Sequence, residues 1–472
     1  MVGWVLLSVA ALLLLPMVCA ICYSESILPY LYTILLSGVL GGLAVLFIRP
    51  RKKTLYAREG YLTVALTWIV VSLVGCLPFI FSGAIPRFAD AFFETVSGFT
   101  TTGSTILPNV EILPKGILFW RSFTHWIGGM GVIVFIMAIL PSAGGGTVHI
   151  MKAEVPGTTF GKVAPKLKVT AKWLYYIYIA LTVIMVGFLL GGGMSLFDSL
   201  VHAFGTAGTG GFSVYNASIG HYGSLYFEIV INVFMLLFGI NFNVFFLLLL
   251  RDFRSILKSD ELWTYFGVVA GASLLIALNI TSLYTNFAEA LRYSSFQVSS
   301  VITTTGYATA DFAGWPMFSQ VILVLLTFCG ACGGSTGGGI KVTRFLLIFK
   351  KLRHDLHRMI HPRSVKSVRL NGKQVEESTL NDLSSYMMAY LGIFAAGFLL
   401  LSLDTVDFTT AFTSVATCLN NVGPGLGAVG PTGNFAFFAD GSKYLLSALM
   451  LFGRLEIFPL LLTFCPVLYR KK

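Results

Sequence analysis

Apolar stretches of about 20 residues or more recur along the whole length of this 472-residue chain. An α-helix needs about 20 apolar residues to cross the hydrocarbon core of a bilayer. Hydrophobic residues make up 56% of the sequence and charged residues only 11%, whereas an ordinary soluble domain is about 25% charged. The sequence therefore predicts an all-α polytopic membrane protein with about ten spans. The predicted spans are 4–23, 27–48, 60–82, 116–140, 173–193, 223–250, 262–284, 316–347, 380–402 and 441–468.

The basic residues that give the chain its net charge of +11 lie mostly in loops between these spans. Five stretches hold 26 of the 32 Lys and Arg residues: 49–58, 152–172, 251–258, 341–373 and 470–472. With ten spans, all five fall on the side of the N-terminus, which the positive-inside rule assigns to the cytoplasm. This distribution argues against a nucleic-acid-binding protein. Six basic residues remain outside the stretches: Arg87, Lys115, Arg121, Arg292, Lys443 and Arg454.

The first 20 residues resemble the apolar core of a signal peptide, but no Lys or Arg precedes Arg49, so we interpret them as a membrane helix. Two cysteine pairs have C-x-x-C spacing, at 19–22 and 329–332. We interpret them as small apolar residues on membrane helices rather than as a metal or redox site.

Four shorter apolar segments, near 88–99, 196–205, 287–301 and 407–417, are too short to cross a bilayer. Each is followed by a loop that contains glycine, and a span precedes and follows each unit. We call these glycine loops 1 to 4: "TTTGS" (100–104), "AGTGG" (207–211), "TTTGY" (303–307) and "NNVGP" (420–424). The four-fold internal repeat predicts four span–loop–span units around one axis.

The repeats divide the chain into an N-terminal hairpin and four units that each bear one glycine loop. The predicted boundaries are 1–50 for the hairpin, then 51–145, 146–255, 256–365 and 366–472. The short helices start near acidic residues that suit a helix N-terminus: Asp90, Asp198, Glu289 and Asp407.

A loop that re-enters the membrane leaves backbone carbonyl groups without partners, which is tolerated only where they line a watery path or lie within protein. Four such loops around one axis would supply rings of carbonyl oxygens, and these can replace the hydration shell of a monovalent cation. Glycine suits such a loop because it adopts positive φ without steric cost. The pattern predicts a cation-selective filter.

The chain resembles the Trk/Ktr/HKT superfamily of potassium transporters, and within it the bacterial TrkH type. The resemblance covers essentially the whole chain and rests on these stretches: "HWIGGMGVIVFIMAILP" (125–141), "KAEVPG" (152–157), "TGGFS" (209–213), "TTTGYATADFAGWP" (303–316), "GGSTGGGIKVTR" (333–344), "CLNNVGPGLG" (418–427) and "GRLEIFPLL" (453–461). It implies potassium uptake through a pseudo-fourfold pore, a homodimer, and a cytosolic RCK-type partner that binds nucleotide.

The resemblance also assigns the filter residues. They are Thr101, Thr102 and Gly103 in loop 1; Gly208, Thr209 and Gly210 in loop 2; Thr304, Thr305 and Gly306 in loop 3; and Asn421, Val422 and Gly423 in loop 4. Each glycine loop matches the family pattern at only one central glycine, which offers fewer rings of carbonyl oxygens than the TVGYG filter of potassium channels. We therefore expect looser selectivity than in a dedicated potassium channel. Apart from potassium at the filter, no metal or cofactor is predicted.

Six of the ten residues from 330 to 339 are glycine, which predicts that the span 316–347 breaks there. We interpret Gly334, Ser335, Thr336, Gly337, Gly338 and Gly339 as an intramembrane gate with both hydroxyl groups facing the path, a role that the resemblance also assigns. The alternative is close helix packing through small residues.

Arg454 lies near the middle of the last predicted span, where a charge is costly unless it faces a cavity or a partner. We interpret it as an electrostatic barrier in the pore. The alternative is a structural ion pair, for which Glu456 is poorly placed on a continuous helix.

The leading hypothesis is a gated potassium pathway in the bacterial plasma membrane, with both termini in the cytoplasm. The basic stretch 341–373 is interpreted as an anchor that is attracted to cytoplasmic lipid and, in addition, as a docking surface for the cytosolic partner. The alternative is a proton- or sodium-coupled symporter, although few carboxylates lie within the spans to relay protons. The chain is not expected to be an enzyme, since it has neither an H-E-x-x-H motif nor a Walker A motif.

Overall fold

A computed structural model describes residues 2–47, 57–131, 167–363 and 366–464. The end of the predicted span 116–140, the stretch 470–472 and most of the stretches 49–58 and 152–172 lie outside the described residues. Within them the fold is helical, apart from one two-stranded hairpin of β1 (Arg369–Leu370) and β2 (Lys373–Gln374).

The N-terminal hairpin consists of α1 (Val2–Leu12) and α2 (Leu14–Cys22), which together form one span, and of α3 (Leu28–Phe47). The hairpin is fastened to the rest of the molecule through Glu25. Its carboxylate accepts hydrogen bonds from the backbone nitrogens of Lys115 (2.6 Å) and Gly116 (2.8 Å). These are the first two residues of α7 (Lys115–Gly129), so Glu25 serves as the acceptor that this helix N-terminus otherwise lacks.

Four short helices occupy the predicted half-span positions: α6 (Phe88–Phe99), α9 (Leu196–Gly208), α14 (Phe287–Ile302) and α18 (Phe408–Asn420). We call them half-helices 1 to 4. The side chains of Ser195, Asn286 and Asp407 cap the last three by accepting hydrogen bonds from backbone nitrogens in the first turn. Asp90, Asp198 and Glu289 lie in the first turns, as predicted, rather than at the caps.

Further helices flank the half-helices. Half-helix 1 is preceded by α4 (Ala57–Gly75) and α5 (Leu77–Phe81) and followed by α7. Half-helix 2 is preceded by α8 (Leu167–Gly191) and followed by α10 (Leu225–Gly239) and α11 (Phe242–Leu249), and half-helix 3 is preceded by α13 (Asp260–Ile280) and followed by α15 (Met317–Cys329) and α16 (Val342–Ile360). Half-helix 4 is preceded by α17 (Glu377–Leu401) and followed by α19 (Asp440–Arg454) and α20 (Phe458–Thr463). A short helix, α12 (Phe253–Leu257), precedes α13.

Six helical stretches among the described residues are long and apolar enough to cross a membrane, and a bent pair makes a seventh. The other predicted spans are broken or incompletely described. The break in 316–347 was predicted from its glycines, whereas two further breaks were not. The span predicted at 223–250 bends by 90° between α10 and α11, and the span predicted at 441–468 is interrupted between Arg454 and Phe458.

The four units follow one another around a central axis. The helix after each half-helix packs against the next half-helix: α7 against half-helix 2, α10 against half-helix 3, α15 against half-helix 4, and α19 against half-helix 1. Ion pairs reinforce two of these contacts. Glu228 of α10 binds Arg292 of half-helix 3 at 2.6 Å, and Lys443 of α19 binds Asp90 of half-helix 1 at 2.5 Å. The last contact closes the circle between the fourth unit and the first.

Candidate functional site

The glycine loops leave their half-helices in the same way, which aligns them independently of sequence. In each loop one backbone nitrogen donates to the carbonyl oxygen five residues earlier in the half-helix. The four bonds run from Thr102 to Ser97 (2.9 Å), from Gly210 to Gly205 (2.8 Å), from Thr305 to Ser300 (2.8 Å) and from Val422 to Thr417 (3.0 Å). Thr102, Gly210, Thr305 and Val422 therefore occupy equivalent positions.

The residue before this position has left-handed backbone geometry in every loop. The φ angles are 56° at Thr101, 56° at Thr209, 59° at Thr304 and 55° at Asn421. A threonine with positive φ is a steric outlier, and such strain costs on the order of 1–3 kcal/mol per residue. Three threonines carry this strain, and an asparagine, which tolerates positive φ better, occupies the same point of the fourth loop, so the loops are candidates for a functional site.

The residue after the aligned position is a glycine with positive φ in all four loops. The φ angles are 80° at Gly103, 75° at Gly211, 82° at Gly306 and 97° at Gly423. The alignment inferred from sequence was therefore wrong by one residue in loop 2, where it placed Gly210 at this position. Gly208 is the last residue of half-helix 2 and is equivalent to Thr100, Thr303 and Asn420. The motif "AGTGG" contains several glycines, and only the backbone geometry distinguishes them.

The four glycines form a closed ring of contacts. A Cβ atom on Gly103 would overlap the carbonyl oxygen of Gly210, one on Gly211 that of Thr305, and one on Gly306 that of Val422. A Cβ atom on Gly423 would lie 2.8 Å from the carbonyl oxygen of Thr102. Each loop thus packs its glycine against the backbone of the next loop in the order 1, 2, 3, 4 and again 1.

All four ring glycines line one cavity of about 110 Å³. The cavity is also bordered by Ser104, Thr105, Ser213 and Asn434. The threonine hydroxyls of the loops mostly point away from it and hold the loops to their half-helices. The hydroxyl of Thr100 donates to the carbonyl of Val96 at 2.7 Å and lies 2.8 Å from the hydroxyl of Thr102.

Loop 3 repeats this arrangement of hydroxyls. Thr303 bonds to the carbonyl of Ser299 and to the hydroxyl of Thr305. In loop 4 an amide takes the place of a hydroxyl, since the side chain of Asn421 donates to Thr102 and to the carbonyl of Met450, both at 2.9 Å. What the loops present to the cavity is therefore mainly backbone.

Residues 330–341, between α15 and α16, lie against the C-terminal ends of half-helices 3 and 4. The backbone nitrogen of Gly338 donates to the hydroxyl of Thr304 at 2.7 Å. A Cβ atom on Gly338 would come within 2.5 Å of the carbonyl oxygen of Asn420, and one on Gly337 within 3.0 Å of that of Thr303. Only glycine allows this segment to approach the half-helices so closely.

The bend between α10 and α11 supports the same segment. Cys332 donates its backbone N–H to the carbonyl of Gly239 at 3.1 Å, and Phe242 donates to the carbonyl of Gly334 at 3.0 Å. The hydroxyls of Ser335 and Thr336, predicted to face the path, instead donate to the carbonyls of Cys332 (2.6 Å) and Phe238 (3.2 Å). These bonds hold the segment in place, and the carbonyl of Phe238, at the end of α10, lacks a partner within its own helix.

Arg454 links this segment to the opposite side of the axis. Its guanidinium donates to the carbonyl of Thr336 at 2.8 Å, to that of Gly129 at 2.8 Å, and to that of Gly128. Gly128 and Gly129, at the end of α7, pack against Phe99 and Gly208, at the ends of half-helices 1 and 2. The side chain therefore spans from the first two units to the segment that lies under the last two.

Several charged residues around this segment have partners that the sequence did not indicate. Glu456 pairs with Arg344 of α16, and the guanidinium of Arg344 also lies 4.0 Å from the centre of the Tyr386 ring. Glu261 accepts a hydrogen bond of 2.6 Å from the backbone of Gly333 and a second from Thr343. Partners that are 82 and 112 residues apart leave no local sequence signal.

The family model that matches this chain is TrkH, described as "Cation transport protein", and it matches residues 30–283 and 272–468. These ranges include all four glycine loops, segment 330–341 and Arg454. The chain belongs to the TrkH family. This assignment confirms the resemblance inferred from the sequence and identifies the chain as a cation transport protein with several membrane spans rather than an enzyme.

Individual relatives agree with the TrkH assignment. The Trk system potassium uptake protein TrkH of Salmonella typhimurium is 41% identical over 429 residues, covering 90% of this chain and 88% of that protein. TrkH of Vibrio parahaemolyticus is 37% identical, and the alignment covers 99% of this chain and 98% of that protein. The crystal structure of the potassium transporter TrkH from Vibrio parahaemolyticus aligns with a TM-score of 0.89 at 35% sequence identity over 99% of this chain and 98% of that one. The all-α fold predicted from the sequence is thereby confirmed.

Proposed function

We propose that this TrkH family member takes up potassium ions across the bacterial plasma membrane, with the four glycine loops as its selectivity filter. The observation that carries the proposal is the closed ring in which the glycine of each loop packs against a backbone carbonyl group of the next loop. The four glycines are Gly103, Gly211, Gly306 and Gly423. Rings of carbonyl oxygens can replace the hydration shell of a monovalent cation. The relatives at 34–41% identity are named as Trk system potassium uptake proteins, which supports potassium as the ion.

The backbone geometry supports the assignment of the filter residues. The strained positions are Thr101, Thr209, Thr304 and Asn421, and a ring glycine follows each of them two residues later. The carbonyl oxygen of the residue between them lies against the ring glycine of a neighbouring loop. With the corrected alignment, the filter of loop 2 consists of Thr209, Gly210 and Gly211.

We further propose that segment 330–341 and Arg454 form the gate. The segment lies directly against the ends of half-helices 3 and 4, and the guanidinium connects it to the end of α7. A positive charge at this point opposes the passage of a cation, and the hydrogen bonds hold the segment across the path. Opening requires these bonds to break or to move together.

The regulatory partner and the assembly are proposals that rest on the family resemblance. We expect a homodimer in which both termini face the cytoplasm, and a cytosolic RCK-type nucleotide-binding subunit that docks on the basic stretch 341–373. In this stretch α16 follows segment 330–341 directly, so a force applied to α16 would reach the gate through Val342.

Flux measurements on purified protein in liposomes test the proposed function. We expect rubidium and potassium to move down their gradients without a proton or sodium gradient. Uptake that disappears when those gradients are removed would instead support coupled symport, and the absence of potassium flux in the presence of the partner would refute the proposal.

A further inference from the structure

Glu94 and Arg121 form an ion pair that is enclosed within the first two units. Glu94 lies on half-helix 1 and Arg121 on α7, and their side chains are 0% and 3% exposed. Arg121 Nε lies 2.6 Å from Glu94 Oε1. Removing two charges from water is costly, and an apolar pair of similar volume often stabilises a fold as well or better. Stability alone therefore does not account for this pair.

The carboxylate of Glu94 holds the chain that leaves glycine loop 1. It accepts hydrogen bonds from the hydroxyl of Thr105 at 3.0 and 3.1 Å and from the backbone nitrogen of Ile106 at 2.9 Å. Thr105 follows the ring glycine Gly103 by two residues. The position of the carboxylate thus sets where loop 1 leaves the ring.

The guanidinium of Arg121 holds the equivalent part of glycine loop 2. Its Nη1 donates to the carbonyl of Ser213 at 3.2 Å, and its central carbon lies 3.4 Å from the centre of the Phe212 ring. Phe212 and Ser213 directly follow the ring glycine Gly211. One ion pair therefore joins the exits of two adjacent loops.

Other junctions between loops use different contacts. Loop 4 is joined to loop 1 by the hydroxyl of Ser104, which donates to the carbonyl of Gly423 at 3.2 Å, and by Asn421. Loops 2 and 3 are joined by the hydroxyl of Tyr307, which donates to the carbonyls of His202 and Phe212. Among the described residues, the other ion pairs that connect units lie near the start of a half-helix or, for Arg344 and Glu456, between α16 and the interruption after α19, and none of them involves a loop exit.

We propose that Glu94 and Arg121 are positioning residues that fix the spacing of glycine loops 1 and 2 and thereby contribute to the choice between cations. This inference rests on the proposed role of the loops as a filter. Because Arg121 also borders the cavity above the ring, its neutralisation by Glu94 keeps a positive charge from repelling the arriving cation.

Arg121→Lys is the decisive variant, because it keeps the charge but loses the planar fork that binds Glu94 and Ser213 together. We expect the potassium-to-sodium flux ratio in liposomes to fall about tenfold, which corresponds to about 1.4 kcal/mol. Glu94→Gln should lower potassium flux itself, since it leaves the guanidinium without a counter-charge beside the cavity.

Arg292→Lys provides the matched control. Arg292 forms an ion pair of the same length with Glu228, through two hydrogen bonds of 2.6 and 2.7 Å, but it touches no glycine loop among the described residues. Its flux ratio should stay that of the wild type. Equal losses of thermal stability in the two lysine variants, with unchanged flux ratios in both, would show that the Glu94–Arg121 pair is merely structural and would overturn the inference.

A binding measurement separates this inference from the proposed function. Thermal stabilisation of the purified protein by potassium, relative to sodium, reports ion preference without transport. If the wild-type protein shows no potassium flux in liposomes, the proposed uptake function is refuted. The positioning role would still be supported if Arg121→Lys reduced the stabilising preference for potassium while Arg292→Lys retained it, and it would be refuted if the preference were unchanged in Arg121→Lys.

Discussion

Arg454 Nη1 lies 2.8 Å from the carbonyl oxygen of Thr336, although the two residues are 118 positions apart and belong to different units. Their contact, together with the bonds from Arg454 to Gly128 and Gly129, joins opposite sides of the axis below the glycine loops. A hydrogen bond that involves a charged group contributes about 1.5–3 kcal/mol. The strength of the proposed gate therefore depends heavily on a single side chain.

Arg454→Ala should increase the resting flux of rubidium about tenfold, since removing about 1.4 kcal/mol from a barrier changes a rate by that factor. The increase should be visible in liposomes without any partner subunit. Arg254→Ala, on the exposed helix α12, is the matched control and should leave the flux unchanged. A resting flux in Arg454→Ala no higher than in the wild type would contradict the gating role.

Thr304→Val should also raise the resting flux, because it removes the oxygen that accepts the hydrogen bond from Gly338. The expected effect is smaller, about two- to tenfold, since a neutral hydrogen bond contributes about 0.5–1.5 kcal/mol. The double variant with Arg454→Ala should show less than the product of the two single effects, because both release the same segment. If the increase in flux of the double variant equalled the product of the two single increases, the two side chains would act independently. Thr264→Val serves as control, as this hydroxyl donates to the carbonyl of Asp260 within its own helix α13.

Two adjacent glycines in loop 2 test the corrected alignment. Gly211→Ala should abolish selective flux, because Gly211 has a φ of 75° and its Cβ atom would meet the backbone of Thr305. Gly210→Ala would instead meet the side chain of His125. Shortening this side chain with His125→Ala should therefore partly restore flux in Gly210→Ala but not in Gly211→Ala. If His125→Ala restored flux in Gly211→Ala, the corrected alignment would be refuted and the alignment made from sequence, with Gly210 in the ring, would be supported.

The Gly306→Ser variant extends the test to loop 3. Its side chain would overlap the carbonyl of Val422, so we expect the potassium-to-sodium ratio to fall. Gly314→Ser, where a Cβ atom meets nothing within 4 Å, is the control. An unchanged ratio in Gly306→Ser would count against the ring as the filter.

Glu25→Ala should lower the stability of the protein without changing its ion preference. The carboxylate accepts two backbone hydrogen bonds at the start of α7, and the loss of such a cap costs about 0.5–2 kcal/mol. Thermal unfolding in detergent measures the loss, and the flux ratio should equal that of the wild type. Glu377→Gln, an exposed acidic residue at the start of α17, should have little effect on either. A changed flux ratio in Glu25→Ala would mean that the hairpin influences the filter.

The half-helices could be located from sequence because each is an apolar segment too short to span, followed by a loop with glycine. Half-helix 1 was predicted at 88–99 and is observed at Phe88–Phe99, while half-helix 2 continues three residues beyond the predicted 205. The break at residues 330–341 was also predictable, because six glycines in ten residues weaken a helix.

The contacts that organise the site were not predictable from sequence. Arg121, Arg292 and Lys443 were left unexplained by the charge pattern, and each has a carboxylate partner between 27 and 353 residues away. The interruption after Arg454 was also missed, since it depends on positive φ at Glu456 and Ile457 rather than on glycine or proline. It directs Glu456 toward Arg344 instead of Arg454.

The ring of glycine loops has a consequence for how the protein is made. Loop 1 completes its contacts only with loop 4, 319 residues later, through the bonds of Ser104 to Gly423 and of Thr102 to Asn421. Chains grow from the N-terminus, and contacts this distant in sequence are expected to form late. The fourth unit must therefore be synthesised before loop 1 can form all of its contacts. A prematurely terminated chain that lacks loop 4 would leave the other three loops in an open arc without a selective passage.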